Sequence, residues 1–248
     1  VKVSIITATY NSAKTISDTL RSLEEQTYQD IEYIIIDGAS NDNTLEVIQS
    51  QCSRVSTVIS ENDKGIYDAL NKGIKAATGD VVGFLHSDDL FAYPEAVQDI
   101  VDTFLKNDSQ AVYADLEYVS KDDTDKTVRL WTSGDYARND LKKGWMPPHP
   151  TFYMKRELYE QYGLFDLSFK IAADYDSLLR YLWVNKVSMA YLPKVLIKMR
   201  VGGASNRSVS NIIQKTKEDI QALKNSSLSW PQAILIKNLS KIPQFIKR

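Results

Sequence analysis

The chain has 248 residues, 43% hydrophobic and 25% charged, the balance of an ordinary soluble globular protein and not of a disordered one. Thirty Lys and Arg against thirty-two Asp and Glu leave a formal charge of −2, so no global basic field argues for nucleic acid. A lone Cys52 excludes an internal disulfide framework or a multi-cysteine zinc site, and His86 and His149 are too few for a three-histidine centre. No apolar run approaches the ~20 residues of a membrane-spanning helix, and no signal-peptide pattern opens the sequence. A cytoplasmic α/β domain with an appendage is the expectation.

The first half alternates strand and helix signals. Val3–Thr9 is a β-branched run, followed by Ile16, Leu20 and Leu23 at helical spacing. Ile31–Asp37 is nearly continuous apolar, as in a strand buried on both faces of a parallel sheet. Asn41, Asp42 and Asn43 open a second helix, Val55–Ser60 predicts a third strand and residues 65–77 a third helix. Residues 81–86 predict a fourth strand that runs into Ser87, Asp88 and Asp89. This alternation predicts a doubly wound, mostly parallel sheet. Further on, Ala111–Val119 and residues 127–132 flank an acidic turn and predict a hairpin, and residues 134–150 a long loop. Residues 173–184 have helical periodicity, residues 187–201 read as extended, and the chain from Ser208 reads as helical, interrupted by Pro231 and Pro243.

There is no GxGxxG after the first strand, no P-loop, no HExxH and no Gly-x-Ser-x-Gly elbow, which removes most dinucleotide, P-loop, zincin and serine-hydrolase chemistry. What remains is carboxylates at strand ends: Asp37 closes one predicted strand, and Asp88 and Asp89 follow another. Ligands of open α/β sheets bind at those ends. Two adjacent carboxylates there suit Mg²⁺ or Mn²⁺ bridging phosphate oxygens. As residue types alone, such pairs also cap helices.

Five segments in order over about ninety residues then resemble the family 2 inverting glycosyltransferases of GT-A fold, in a bacterial O-antigen or polysaccharide branch. They are the opening Ser4 to Asn11, the helix end Leu20 to Thr27, Asp37-Gly38-Ala39-Ser40-Asn41-Asp42-Asn43-Thr44, the block Asp63-Lys64-Gly65-Ile66-Tyr67-Asp68-Ala69-Leu70-Asn71-Lys72-Gly73, and Ala77 to Asp80 with Leu85-His86-Ser87-Asp88-Asp89. The resemblance implies a nucleotide-sugar donor, UDP-hexose favoured, bound by Thr7, Ala8, Tyr10, Asp37, Lys64 and Asp88. Asp37 would accept from the base, Asp88 would hold ribose or metal-bound water, and Asp89 would ligate Mn²⁺ or Mg²⁺. Ala173-Asp174-Tyr175-Asp176 with Arg180 resembles the family's base-bearing segment, which makes Asp174 the general base and Asp176 the second choice. His149, within Pro147-Pro148-His149-Pro150, would contact acceptor or diphosphate, with Trp145 a platform for a sugar ring. His86 reads as core or as support behind the site.

This divides the chain into a nucleotide-sugar half (1–110), an acceptor and catalytic half (111–206) and a helical tail (207–248). Residues 228–248 carry Lys237, Lys241, Lys247 and Arg248, no acid, and interleaved apolar side chains. A basic amphipathic helix of this kind suits the surface of an anionic membrane, and equally a helix packed on the domain. A membrane position would fit a saccharide acceptor carried on a polyprenyl diphosphate. Val201 to Asn206, hinged at Gly202 and Gly203, reads as a lid or a plain surface turn. Two other readings are a nucleotidyltransferase on a similar sheet and a catalytically silent nucleotide- or carbohydrate-binding module.

Overall fold

Alternate residues of two apolar strands feed the two faces of one sheet. In β1 (Val3–Thr9), Ile5 packs on one side and Ile6 on the other; in β2 (Ile31–Asp37), Tyr33 and Ile35 oppose Ile34 and Ile36 in the same way. The computed structural model describes residues 1–202 and 209–239. Helix α1 (Ile16–Glu24) lays Ile16, Leu20 and Leu23 against one face. After α2 (Thr44–Gln51) and β3 (Val55–Ser60), helix α3 (Ile66–Ala76) lays Ala69, Leu70 and Ile74 against the other. With β4 (Val81–Phe84), these strands lie in the order β3-β2-β1-β4, all parallel. Parallel pairing brings the carboxyl ends of all four to one rim, which places the loops after Thr9, Asp37, Ser60 and Phe84 side by side.

The second half is mixed. It comprises β5 (Leu90–Phe91), α4 (Ala96–Asn107), β6 (Ala111–Val119), β7 (Thr127–Trp131), β8 (Tyr153–Lys155), α5 (Arg156–Tyr162), α6 (Ala173–Leu178) and β9 (Met189–Arg200). The sheet continues β4-β8-β6-β9-β5, with β7 paired to β6. Short β8 is antiparallel to both β4 and β6 and joins the halves. Gly83 makes that seam close: a Cβ there would stand 1.9 Å from the Tyr153 ring. The long pairing of β6 with β9 is parallel.

Elements β5, β8 and α5 are additions to the expected order, all too short for periodicity to register. The strand expected over 81–86 stops at Phe84, because His86 to Asp89 turn back on a bond from the Asp89 amide to the His86 carbonyl. The long loop holds a 3₁₀ helix, Arg138–Lys143, and a 3₁₀ turn, His149–Thr151. Beyond β9, helix α7 (Val209–Asn225) and helix α8 (Trp230–Leu239) follow. Ala222, Leu223, Leu228 and Ala233 are buried in the same core as α3 and α6, so this part of the expected tail is packed on the domain. Most of the expected lid, Gly203 to Asn206, and the chain end from residue 240 lie outside the described residues.

Candidate functional site

The rim of the parallel half carries the residues expected to meet a nucleotide, and the structure sorts them. Asp37 is fully buried, and its carboxylate accepts from the Ser40 amide (2.9 Å), the Ser40 hydroxyl (2.5 Å) and the Ser60 hydroxyl (2.7 Å). It holds the turn together instead of facing the rim. Thr7 is also interior: its hydroxyl donates to the Leu85 carbonyl at 2.6 Å and lies 2.9 Å from the Tyr33 hydroxyl. Of the expected donor residues, Tyr10 is exposed, Lys64 is exposed and Ala8 is nearly closed off. A second acid reaches this corner from further along the chain: Asp63 Oδ2 stands 2.6 Å from where a Cβ on Gly38 would be, with the Tyr10 ring 3.5 Å from the same point. Asp63 is held by the Gly65 amide (2.8 Å). Asp63 opens the Asp63–Gly73 block that carries the resemblance, where no role is expected of it.

After β4 the two aspartates diverge. Asp88 is half-buried, whereas Asp89 is 1% exposed and neither of its carboxylate oxygens has a hydrogen-bond partner. Burial pushes the Asp89 carboxyl well up, and the neighbouring Asp88 charge adds to it against the pull of Arg200. The expectation gave the metal to Asp89, yet the carboxylate open to the rim is that of Asp88. Arg200, at the end of β9, ties this loop down: it donates to the Asp88 carbonyl at 2.7 Å and to Asp18 of α1. Sequence reasoning missed Arg200, and no motif singles it out.

Asp174 arrives from the other half. It sits in the first turn of α6, half-buried, and Oδ1 accepts the Tyr175 amide at 2.8 Å. The Tyr67 hydroxyl of α3 lies 3.3 Å from the same oxygen and donates to the Ile171 carbonyl at 2.6 Å. Burial raises the Asp174 carboxyl, while the Tyr175 amide and the Lys215 and Lys237 cations draw it back. His86 lies within the fields of both Asp88 and Asp174, yet burial outweighs them and lowers its pKa. His149 is buried against the Phe84 ring (centroids 5.1 Å apart) and stands 6.4 Å from His86; burial and His86 hold it down to about 3, so it is a neutral imidazole. Asp176 turns away from Asp174, 3.7 Å from Arg180. Trp145 belongs to a separate aromatic group, stacked 5.1 Å from Tyr136 and edge-on to Tyr113 at 5.6 Å.

Asp88, His86, His149, Tyr67 and Asp174 are thus brought together where the two halves meet. Asp37, Thr7, Asp176 and Trp145 are held by other contacts. The orphaned oxygens of Asp89 beside the open carboxylate of Asp88 fit a divalent cation, which would satisfy buried acceptors that nothing else satisfies. Among the described residues no group of three or more His, Cys, Asp or Glu stands ready to hold an ion, so a phosphate ligand would have to complete the shell.

Residues 4–168 match the family model described as glycosyl transferase family 2. The chain is 32% identical over 219 residues to an uncharacterized glycosyltransferase of Nostoc sp., an alignment covering 83% of this chain and 66% of that relative, just under two thirds of its length. Among solved structures, it is similar to S. aureus TarS in complex with UDP, with TM-score 0.68 and 21% identity, over 100% of this chain and 71% of that one. It is also similar to the mannosyltransferase PcManGT of Pyrobaculum calidifontis in complex with GDP-Man and Mn²⁺, with TM-score 0.65 and 18% identity, over 100% and 76%.

Proposed function

The chain belongs to glycosyl transferase family 2, and from that premise we propose that it transfers a sugar, with inversion, from a nucleotide diphosphate sugar to a saccharide acceptor. The observation that carries this reading is the placing of Asp88, beyond parallel β4, and Asp174, at the start of α6, both within electrostatic reach of His86, which stands 6.4 Å from His149, with Tyr67 3.3 Å from Asp174. A UDP-hexose is the favoured donor, in line with the UDP held by the similar TarS structure. The donor lies along the rim, its base toward Tyr10, Ala8 and the Asp37 turn and its phosphates toward Lys64 and Asp88.

Asp174 is the general base. It accepts the proton of the acceptor hydroxyl as that oxygen attacks the anomeric carbon and the bond to the nucleoside diphosphate breaks on the opposite face. A carboxyl raised by burial is a stronger base than an exposed one, and the Tyr175 amide fixes its oxygen in place, with the Tyr67 oxygen 3.3 Å away. Asp88 and Asp89 would hold Mn²⁺ or Mg²⁺, which when bound neutralises charge growing on the departing diphosphate. His149, neutral and backed by Phe84, sits on the acceptor or diphosphate side; Trp145, stacked on Tyr136 in its own aromatic group, takes no part in this arrangement.

The acceptor in this reading is carried on a polyprenyl diphosphate at the inner face of the cell membrane, in O-antigen or other surface polysaccharide synthesis. Among the described residues no helix is long and apolar enough to cross a membrane. With Ala233 and Lys237 facing the core, the surface left to α8 is the one bearing Leu235 and Trp230.

The test is a panel of UDP-, GDP- and dTDP-sugars with a synthetic lipid-diphosphate-linked saccharide, read as released nucleotide with and without EDTA. Metal-dependent release and a product of opposite anomeric configuration by NMR are expected. Retention of configuration would overturn the mechanism, and no turnover with any donor would leave a binding module.

A further inference from the structure

The loop that launches Asp174 is held by a residue forty-four positions further on. Glu218 of α7, 6% exposed, accepts from three consecutive amides: Lys170 on Oε1 at 3.0 Å, and Ile171 and Ala172 on Oε2 at 2.8 Å each. The Gln214 amide adds a fourth donor at 2.8 Å on Oε1. The other side of the Ile171 peptide faces Tyr67, whose hydroxyl donates to the Ile171 carbonyl and touches Asp174. One peptide thus stands between Glu218 and the Tyr67–Asp174 contact.

The next residue on α7 makes a second link. Asp219 pairs with Lys237 of α8 at 2.9 Å, both side chains below a tenth exposed, with Lys215 3.7 Å away. The Lys237 ammonium stands 3.6 Å over the ring of Tyr175, whose amide is the donor to Asp174. A sealed ion pair gives little net stability over apolar side chains of similar size. Its two charges, however, act on Asp174 in opposite senses: Lys237, with Lys215, opposes the effect of burial, and Asp219 adds to it.

We propose that α7 and α8 are positioning elements for the transfer chemistry: Glu218 fixes the loop that aims Asp174, and the Asp219–Lys237 pair sets the charge behind it. This presupposes Asp174 as the base, as proposed above. The groups that face Asp174 are then Tyr67 from α3, His86 from the loop after β4, Lys215 and Asp219 from α7 and Lys237 from α8. None of the residues assigned to α7 and α8 touches substrate in this arrangement; they act through Ile171, Tyr175 and the field.

The experiment compares the full chain with Glu218→Gln, Lys237→Met and Lys237→Arg, using the donor that turns over in the panel above. Glu218→Gln should lower kcat by about 10–100-fold, the scale of a misplaced reacting group, with the donor KM within twofold of wild type. Lys237→Met should move the acid limb of the kcat profile upward by roughly half a pH unit, since an opposing cation is lost, and Lys237→Arg should restore it. Hydrogen exchange at the amides of residues 170–172 should accelerate in Glu218→Gln while that of β1 and β2 stays unchanged. Gln214→Ala, a milder variant, should give a smaller change of the same kind even where Glu218→Gln does not fold. If Asp174→Asn is inactive while Glu218→Gln, Gln214→Ala and Lys237→Met keep wild-type kcat and pH limb, the positioning role is wrong and the base stands. If Asp174→Asn retains wild-type turnover, the base itself is wrong.

Discussion

The two halves of the sheet place their functional residues by different means. In the parallel half, topology does it: the strands β3-β2-β1-β4 end at one rim, so Tyr10, the Asp37 turn and Asp88 are neighbours because their strands are. In the mixed half, Asp174 is placed by contacts far apart in sequence, with Tyr67 across 107 positions and Glu218, which grips its loop from 46 to 48 positions away. The proposed nucleotide side is therefore set mainly by strand order, with Arg200 of β9 a distant tie on the Asp88 loop, whereas the proposed base depends throughout on residues far away in sequence.

The sharpest way to break that comparison is one substitution on each side. Asp174→Asn keeps an oxygen for the Tyr175 amide but cannot take a proton, so kcat should fall by about 10²–10⁴ with donor binding unchanged. Asp88→Asn should do the opposite in kind, weakening nucleotide binding and abolishing its dependence on added Mn²⁺ in calorimetry. Equal affinity with and without metal in the wild type would remove the metal from the Asp88–Asp89 loop.

The next effect in size concerns the tail. Truncation after Ser227 deletes Leu228, the buried Ala233 and Lys237, which uncovers the core they close and leaves Asp219 with Lys215 alone, 3.7 Å away. Losing two buried apolar side chains and an ion pair should cost about 3–5 kcal/mol, so the melting temperature should fall by roughly 10 °C. Binding to anionic vesicles should fall with it and weaken with salt if the outer face of this segment lies on lipid. A truncated chain with wild-type melting and wild-type vesicle binding would make the segment dispensable on both counts.

What the sequence could tell follows the same division. The period-2 and period-3.6 patterns of the first half are local, so β1 to β4 and α1 to α3 were legible to within a few residues, and the rim followed from parallel order. Which of Asp88 and Asp89 opens to the rim was not legible, because adjacent residues in a loop have no fixed alternation; Arg200, 112 positions from Asp88, helps to set it. The turn-capping role of Asp37 depends on Ser60 from the next strand, again outside any local pattern. Tyr67 lies within the Asp63–Gly73 block that carries the resemblance, without an expected role; Glu218 carries no motif; and Lys237, expected on the basic face of a tail helix, is buried against Asp219. Their partners exist only once α7 and α8 fold back on α6.

A third test addresses the seam. A Cβ on Gly83 would stand 1.9 Å from the Tyr153 ring, which is fully buried and has no room to retreat. Gly83→Ala should therefore destabilise by about 2–3 kcal/mol through overpacking and lower the melting temperature by roughly 5–10 °C. Because β8 is bonded to both halves, they should melt together; two transitions would show that each half folds by itself.

The smallest expected effect lies within the parallel half, at its amino-terminal edge. Glu32 on β2 is nearly buried, and its carboxylate accepts from the Ser4 hydroxyl (2.5 Å), the Thr78 amide (2.7 Å) and hydroxyl (2.5 Å), and Lys2 (2.9 Å). Burial pushes the carboxyl up, but these donors outweigh it and hold it at about 2. A folded-state value below the unfolded one means stabilisation present above roughly pH 4.5, the ordinary glutamate range, and lost as pH falls from there through about 2. Glu32→Gln removes the charge at every pH, so at pH 7 it should lower the melting temperature by roughly 4–8 °C, from a loss on the order of 2 kcal/mol. The gap between wild type and variant should then close as the pH is taken from 5 toward 2. A gap that stays constant over that range would mean that the Glu32 contacts act by shape alone, and that the order of this edge does not depend on its charge.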